Sequence, residues 1–132
     1  MARIERFEDL EVWKLARQVA NLIYDASSDG DFARDFVLRD QVRRAAVSIF
    51  SNIAEGFERN GNKEFLQFLS VAKASCAEVR AQLLFASDRR YISSEHCVIL
   101  IGNLQCLSSQ IAGFSKYLRQ SELKGIKFGN KN

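Results

Sequence analysis

The sequence contains no proline, one histidine, and three cysteines without a Cys-x-x-Cys spacing. A zinc site of the HExxH type needs a second histidine, so the lone His96 excludes it. No motif supports a catalytic pair of a cysteine with His96. The odd cysteine count argues against a disulfide framework and fits a reducing compartment. We therefore expect no metal, no cofactor and no enzymatic activity, and we interpret Cys97 and Cys106 as buried free thiols.

The lack of proline, together with glycines that cluster near breaks in the pattern, favours helices over the frequent turns of a β protein. Apolar residues recur every three or four positions in four segments, at about 10–26, 35–58, 63–88 and 93–120. Asp9 and Asn62 are the predicted N-caps of the first and third helices. Four helices of similar length with short loops predict an all-α, antiparallel up-down-up-down four-helix bundle.

The length of 132 residues is that of one domain. We place the bundle domain at 1–120 and a short basic C-terminal tail without periodicity at 121–132. The N-terminus turns acidic before any apolar run develops, so no secretory signal is predicted and we expect a cytoplasmic protein.

Two stretches within the predicted helices contain no charged residue: 45–54 in the second helix and 96–115 in the fourth. A helix of a monomeric bundle should have one solvated side, so these segments predict burial between copies of the chain. The second has the length of a membrane span but is too polar to be one, because it contains Asn103, Gln105 and several serines.

The formal net charge is only +3, which permits a polyanionic partner without requiring one. The charge is unevenly spread, because residues 1–31 hold seven acidic and four basic side chains, whereas residues 92–132 hold two acidic and five basic ones. This asymmetry fits either a basic surface on an assembly or ordinary solvated surface, and both interpretations stay open.

Several basic residues share helical faces and are the candidate phosphate contacts. Repeated around a symmetric assembly, they would form a positive belt. The alternative is intramolecular pairing, for example between Asp40 and Arg43 or Arg44. The candidate nucleic-acid-binding residues are Arg39, Arg43, Arg44, Lys73, Arg80, Lys116 and Arg119.

The second predicted helix carries a polar motif within an apolar stretch. Asn52 and Glu55 lie there, and a buried carboxylate must find partners or take up a proton. We interpret the pair as structural hydrogen bonds to a neighbouring helix or its N-terminus, with a ligand or interface site as the alternative. Gly56 either lets two helices approach closely or loosens the helix end. Trp13, with Phe65 and Phe68, occupies a core stripe and is predicted to pack rather than to stack on bases.

Three motifs carry a resemblance to a known family. They are Phe7-x-Asp9-Leu10-x-Val12-Trp13-x-x-Ala16, the central Gln41-x-Arg43-Arg44-Ala45-Ala46-x-Ser48-Ile49-x-x-Asn52-Ile53-Ala54-Glu55-Gly56, and Glu64-Phe65-x-x-Phe68-Leu69-x-x-Ala72-x-x-Ser75-x-x-Glu78. The chain resembles the bacterial four-helix bundle proteins named after the 23S rRNA intervening sequences in which some members are encoded. The family commonly has proline, and a kinked helix, where Phe50 stands here.

The resemblance implies an antiparallel four-helix bundle that assembles as a homopentamer, and it marks Ser48 as part of the structural motif. Related accessory proteins of diversity-generating retroelements bind nucleic acid and a reverse transcriptase through a basic pentamer surface. We therefore predict a non-enzymatic oligomeric bundle that binds RNA or DNA phosphates. The alternative is a protein-interaction scaffold or accessory module that binds another protein and no nucleic acid.

Overall fold

The computed structural model of the chain describes residues 4–123. A single 3-10 turn, Phe7–Asp9, precedes five helices: α1 Glu11–Ala26, α2 Gly30–Arg34, α3 Phe36–Phe57, α4 Asn62–Asp88 and α5 Ser94–Leu123. The described part of the chain contains no strand. The all-α class and the helical bundle are thus confirmed.

The four long helices surround one apolar core. Both α1 and α4 pack against α3 and α5. The fully buried side chains come from every long helix, as the 3.6-residue apolar period requires, and include Ile23, Ile49, Leu69, Leu83, Leu104 and Ile111. Phe68, predicted to lie in a core stripe, is only half-buried. Apolar burial of this kind contributes about 25 cal/mol per Å², which makes the core the main source of stability.

The predicted helix starts need correction. Asp9 belongs to the 3-10 turn, so Leu10 takes the N-cap position of α1 without a side-chain hydrogen bond. Asn62 is likewise not a cap, because it is buried in the first turn of α4, where its amide donates to the Leu118 carbonyl oxygen at 3.2 Å. The short helix α2 lies in the segment predicted to be a break. Its only buried residue is Phe32, and one apolar residue gives no periodic signal.

The last helix extends beyond its predicted end. The α5 helix continues to Leu123, while the rest of the predicted tail, residues 124–132, lies outside the described residues. The α3 helix runs without a break through Phe50. The phenyl ring of Phe50 meets the indole of Trp13 edge to face, with centroids 6.3 Å apart.

By length and composition alone, Ser94–Ser121 could cross a membrane, with a mean hydropathy of 1.4. A core helix of a bundle passes the same test, and α5 has the pattern of one. Leu100, Leu104 and Leu107 are buried in the core, whereas Gln105 and Ser109 are exposed.

Candidate functional surfaces

Arg43 donates hydrogen bonds to the C-terminal end of α1. Its Nε donates to Ser27 Oγ at 2.8 Å, and its Nη2 donates to the Ser27 carbonyl oxygen at 3.1 Å. The guanidinium also lies over the Tyr24 ring, 4.5 Å from the centroid. The last carbonyls of a helix have no partner within it, so these hydrogen bonds satisfy groups that would otherwise depend on water. Arg43 therefore has a structural role in binding α3 to α1.

Arg39 is also engaged within the chain. Its Nε lies 2.9 Å from Asp40 Oδ1, and its Nη1 donates to the Ala33 carbonyl oxygen at 3.0 Å. Its guanidinium covers the Phe36 ring at 4.8 Å. The alternative of intramolecular pairing therefore applies to both arginines, although Asp40 pairs with the adjacent Arg39 rather than with Arg43 or Arg44. Phosphate binding by Arg39 and Arg43 stays a prediction, but both side chains already have partners.

Four of the seven candidate cations are free of partners among the side chains that the structure describes. They are exposed, and no hydrogen bond or ion pair joins them to any residue within 4–121. Such cations remain available to a polyanion, since no internal carboxylate neutralises them. The four are Arg44, Lys73, Lys116 and Arg119.

Arg80, the seventh candidate, is half-buried, and its Nε has no acceptor among the described residues. Arg80 and Lys73 lie on either side of Cys76. Burial raises the pKa of the Cys76 thiol to about 11, against the opposing effect of these two cations. Cys76 is therefore an inert thiol at neutral pH. Cys106, predicted to be buried, is exposed, whereas Cys97 is buried as expected.

The polar motif of α3 binds α3 to α4. Asn52 Nδ2 donates to the Ser48 carbonyl oxygen at 2.8 Å and to Ser48 Oγ at 2.9 Å. Ser48 Oγ in turn lies 3.0 Å from Ser75 Oγ on α4. Asn52 thus bonds within α3 and reaches α4 only through Ser48 Oγ, so its structural interpretation stays a prediction.

Glu55 does not join this network, and its predicted burial is wrong. It lies two residues after the buried Ile53, about 200° around the helix, which turns it towards solvent. Its side chain is 55% exposed and lies 2.9 Å from Arg59 Nη2. Gly56 is buried, and a Cβ built there would lie 2.7 Å from Phe68 Cβ. Of the two predicted roles for Gly56, close helix approach is the one that this contact supports.

A groove of about 370 Å³ opens between the N-terminal part of the chain and α3. We call it the Trp13 groove. Trp13 is only 8% exposed. Its ring and the Phe7 ring meet edge to face, with centroids 5.1 Å apart. The buried Trp13 Nε1 has no acceptor among the described residues. Phe50 also lines the groove, and the Glu55 and Glu58 side chains contribute carboxylates to it.

An apolar end cluster lies where α3 begins, α4 ends and α5 begins. The side chains are more than half exposed, although they are large and hydrophobic: Phe36, Val37, Leu84, Phe85, Val98 and Ile99. The Tyr91 hydroxyl, between α4 and α5, donates to Asp35 Oδ2 at 2.9 Å, which holds these helix ends together. Single exposed apolar residues need no explanation, so this set is of interest only because all six lie at one end of the bundle.

Sequence reasoning missed two of these contacts. The sequence predicts Asp35 at the start of a helix. Its hydrogen bond with Tyr91 joins residues that are 56 positions apart, and no local sequence pattern indicates it. The contact of Arg43 with Ser27 is similarly non-local. A serine at the end of α1 and an arginine two turns into α3 give only a weak local signal for this contact.

A family comparison agrees with this architecture. The model of the family described as 23S rRNA-intervening sequence protein matches residues 8–113. The chain belongs to this family, so the resemblance is confirmed.

A solved structure shows the same fold. The chain is similar to a protein of unknown function from the S23 ribosomal protein family of Bacteroides thetaiotaomicron, with a TM-score of 0.72 and 20% sequence identity. The match covers 80% of this chain and 98% of the other. No curated protein matches the sequence. The family is one of unestablished biochemical role, so function must be argued from the surfaces above.

Proposed function

We propose that this chain is a non-enzymatic, self-associating helical bundle of the cytoplasm that binds RNA or DNA through phosphate contacts. The observation that carries the proposal is the set of four exposed cations without internal partners, Arg44, Lys73, Lys116 and Arg119. Binding by such groups is electrostatic and independent of base sequence, because phosphates carry no sequence information. The name of the family refers to the intervening sequences in which some members are encoded and identifies no binding partner, so the proposal depends on these cations.

The proposal includes an antiparallel arrangement of the long helices and a homopentamer. The antiparallel arrangement is supported by contacts near both ends of α4: Asn62 at its start meets Leu118 near the end of α5, and Leu83 near its end meets Cys97 near the start of α5. The pentamer is the assembly that the resemblance implies. The apolar end cluster supports self-association, because a monomer would leave it exposed to water.

Fluorescence anisotropy with a labelled RNA hairpin and a labelled DNA duplex tests the nucleic-acid proposal. We expect the logarithm of affinity to fall linearly with the logarithm of salt concentration, and to depend little on base sequence. Arg44→Glu combined with Lys116→Glu should reduce the magnitude of the salt slope by about 2, or about one per lost phosphate contact. Arg39 and Arg43 are poorer choices, because their replacement would also remove helix contacts.

The matched control is Arg6→Glu combined with Lys14→Glu, which changes the net charge equally at the acidic N-terminal part of the chain. The control should retain more affinity than the Arg44 and Lys116 variant. Equal losses would show a response to net charge rather than to a surface. Absence of binding at low salt would overturn the nucleic-acid proposal.

The second candidate function is a protein-interaction scaffold. It is favoured by the apolar end cluster, which offers an anchoring surface for a protein rather than for a phosphate backbone. An oligomer that forms normally but binds neither RNA nor DNA at low salt would favour this function.

A further inference from the structure

We propose that the Trp13 groove binds a small organic cation, a primary ammonium group carried on an aromatic body. The inference concerns a surface that the proposed nucleic-acid function does not use. It rests on the size of the groove, on its aromatic lining, and on the carboxylates that it holds towards the C-terminal end of α3.

The groove has the size and the lining of a small-molecule site. Its volume of about 370 Å³ lies within the roughly 300–1,000 Å³ typical of ligand pockets. Three aromatic rings line it, and Phe7 and Phe50 both meet the Trp13 indole edge to face. Ser51 and Ala54 also line it, and their small side chains leave space between Phe50 and the end of α3. An aromatic ligand can therefore pack against ring surface in this space.

The charged side chains that line the groove are both acidic. They are Glu55 and Glu58, and no basic residue within 4–121 lines it. Arg59 balances the charge of Glu55 at 2.9 Å. Glu58 is exposed, and no ion pair joins it to the described side chains. An unpaired carboxylate accepts hydrogen bonds from an ammonium group, which has three donors, and aromatic rings attract the same charge.

Arg17 fixes the direction in which such a ligand lies. Its guanidinium is 4.8 Å from the centroid of the Trp13 ring, and it lines an adjoining groove together with Tyr24 and Phe50. Like charges repel, so a ligand cation is favoured at the Glu58 end, away from Arg17. The aromatic body then lies towards Phe50. An anionic ligand would meet the carboxylates instead and is disfavoured.

Titration of the full-length protein with phenethylamine, an ammonium ion at neutral pH, tests the proposal. Trp13 is the only tryptophan, so its fluorescence reports on the groove. We expect a saturable change with a Kd on the order of 1 mM, as suits a ligand of about nine non-hydrogen atoms. Phenethyl alcohol, the uncharged analogue, should bind several-fold more weakly, and phenylacetate more weakly still. Equal affinities for the three compounds, or a fluorescence change that does not saturate, would overturn the proposal.

Glu58→Gln separates the charge from the aromatic surface. It should lower the affinity for phenethylamine about two- to fivefold, the range for an exposed ion pair, and leave that for phenethyl alcohol unchanged. The matched control is Glu95→Gln, which neutralises an exposed glutamate at the start of α5 that does not line the groove. The control should change neither affinity. Equal losses in the two variants would show a response to net charge and would overturn the assignment of the ammonium to Glu58.

Phe50→Ala tests the aromatic surface. It should weaken the binding of phenethylamine and of phenethyl alcohol by the same factor, because both carry the ring that packs there. Circular dichroism establishes that the variant is folded. Unchanged affinity for both compounds in a folded variant would overturn the groove as the site. Nucleic-acid affinity is measured independently with the Arg44 and Lys116 variant, so the failure of this inference and of the proposed function can be told apart.

Discussion

The indole of Trp13 joins three parts of the molecule at one position. It contacts Phe7 in the N-terminal turn, Phe50 on α3, and the guanidinium of Arg17 at 4.8 Å on its own helix. Truncating a buried aromatic removes its transfer energy and leaves a cavity. The side chain therefore stabilises the packing of α1 on α3 as well as the core.

We expect Trp13→Ala to lower the free energy of unfolding by about 3–5 kcal/mol. This is a large share of the roughly 5–15 kcal/mol by which a domain is stabilised. Chemical denaturation followed by circular dichroism measures the loss, since the variant has no tryptophan signal. A loss below about 1 kcal/mol would contradict the burial of this side chain.

Two glycines allow a matched test of helix packing. A Cβ at Gly56 would lie 2.7 Å from Phe68 Cβ and 2.8 Å from Phe65 Cδ1, whereas a Cβ at Gly102 meets nothing within 4 Å. Gly56→Ala should therefore destabilise the chain by about 1–3 kcal/mol through overpacking. Gly102→Ala should stabilise it by about 0.4–1 kcal/mol, because alanine reduces the entropy of the unfolded chain. Opposite shifts in the denaturation midpoint would bear this out, and equal shifts would contradict it.

At the scale of the helix, Asp35 fixes the start of α3. Its Oδ1 accepts from the Leu38 backbone N–H at 3.1 Å, and its Oδ2 accepts from the Tyr91 hydroxyl. The Leu38 bond, followed by the Tyr91 bond, lowers the pKa of the Asp35 carboxyl. The lowered pKa means that the folded state stabilises the charged carboxylate of Asp35 relative to its protonated form.

The sign of the pH dependence follows. The contribution of Asp35 is fully present above the unfolded pKa of about 3.9, and it is lost as pH falls through the lower folded pKa. Asp35→Asn should therefore lower the denaturation midpoint at pH 7, and the deficit should shrink at pH 3. Tyr91→Phe should show a smaller deficit with the same trend. A deficit that is constant with pH would contradict the role of the charge.

The long helices were predictable because their buried residues recur with the helical period. The α3 stripe of Leu38, Val42, Ile49 and Ile53 is buried as its spacing predicts. Helix starts were less predictable, since Asp9 and Asn62 both have the chemistry of an N-cap and neither serves as one. Asn62 is recruited by the Leu118 carbonyl, a partner 56 residues away that local propensity cannot reveal.

The candidate surfaces were predictable only in part. Helical spacing placed Arg39 and Arg43 on one face, but it could not show that this face meets α1 and α2. The Glu55 carboxylate was expected to be buried because its neighbours are apolar, whereas its angle on the helix turns it to solvent. The Trp13 groove and the apolar end cluster depend on how helices meet, so no motif in the sequence marks them.

At the scale of the whole molecule, we expect an oligomer of several times 15.0 kDa, with five copies as the predicted number. Light scattering coupled to gel filtration measures the mass. Val98→Lys combined with Ile99→Lys should reduce it, because the two side chains are 70% and 62% exposed in the single chain and belong to the apolar end cluster.

The matched control for this prediction is Gln67→Lys combined with Ser70→Lys, which adds the same charges at exposed polar positions of α4. The control should leave the mass unchanged. A monomer at micromolar concentration in the unmodified protein would contradict self-association. Loss of mass in the control variant as well would indicate charge repulsion rather than a defined interface.

The neighbour relations of the helices also bear on how fast the chain acquires its structure. The most extensive packing joins α3 to α4 and α4 to α5, which are adjacent in sequence, whereas the contact of α1 with α5 connects the first and last long helices. Helical bundles in which neighbouring helices pack on one another typically fold in microseconds to milliseconds. The chain has no proline, so refolding lacks the slow isomerisation phase that such residues cause. Any slow phase that speeds up with protein concentration would therefore report the assembly of subunits.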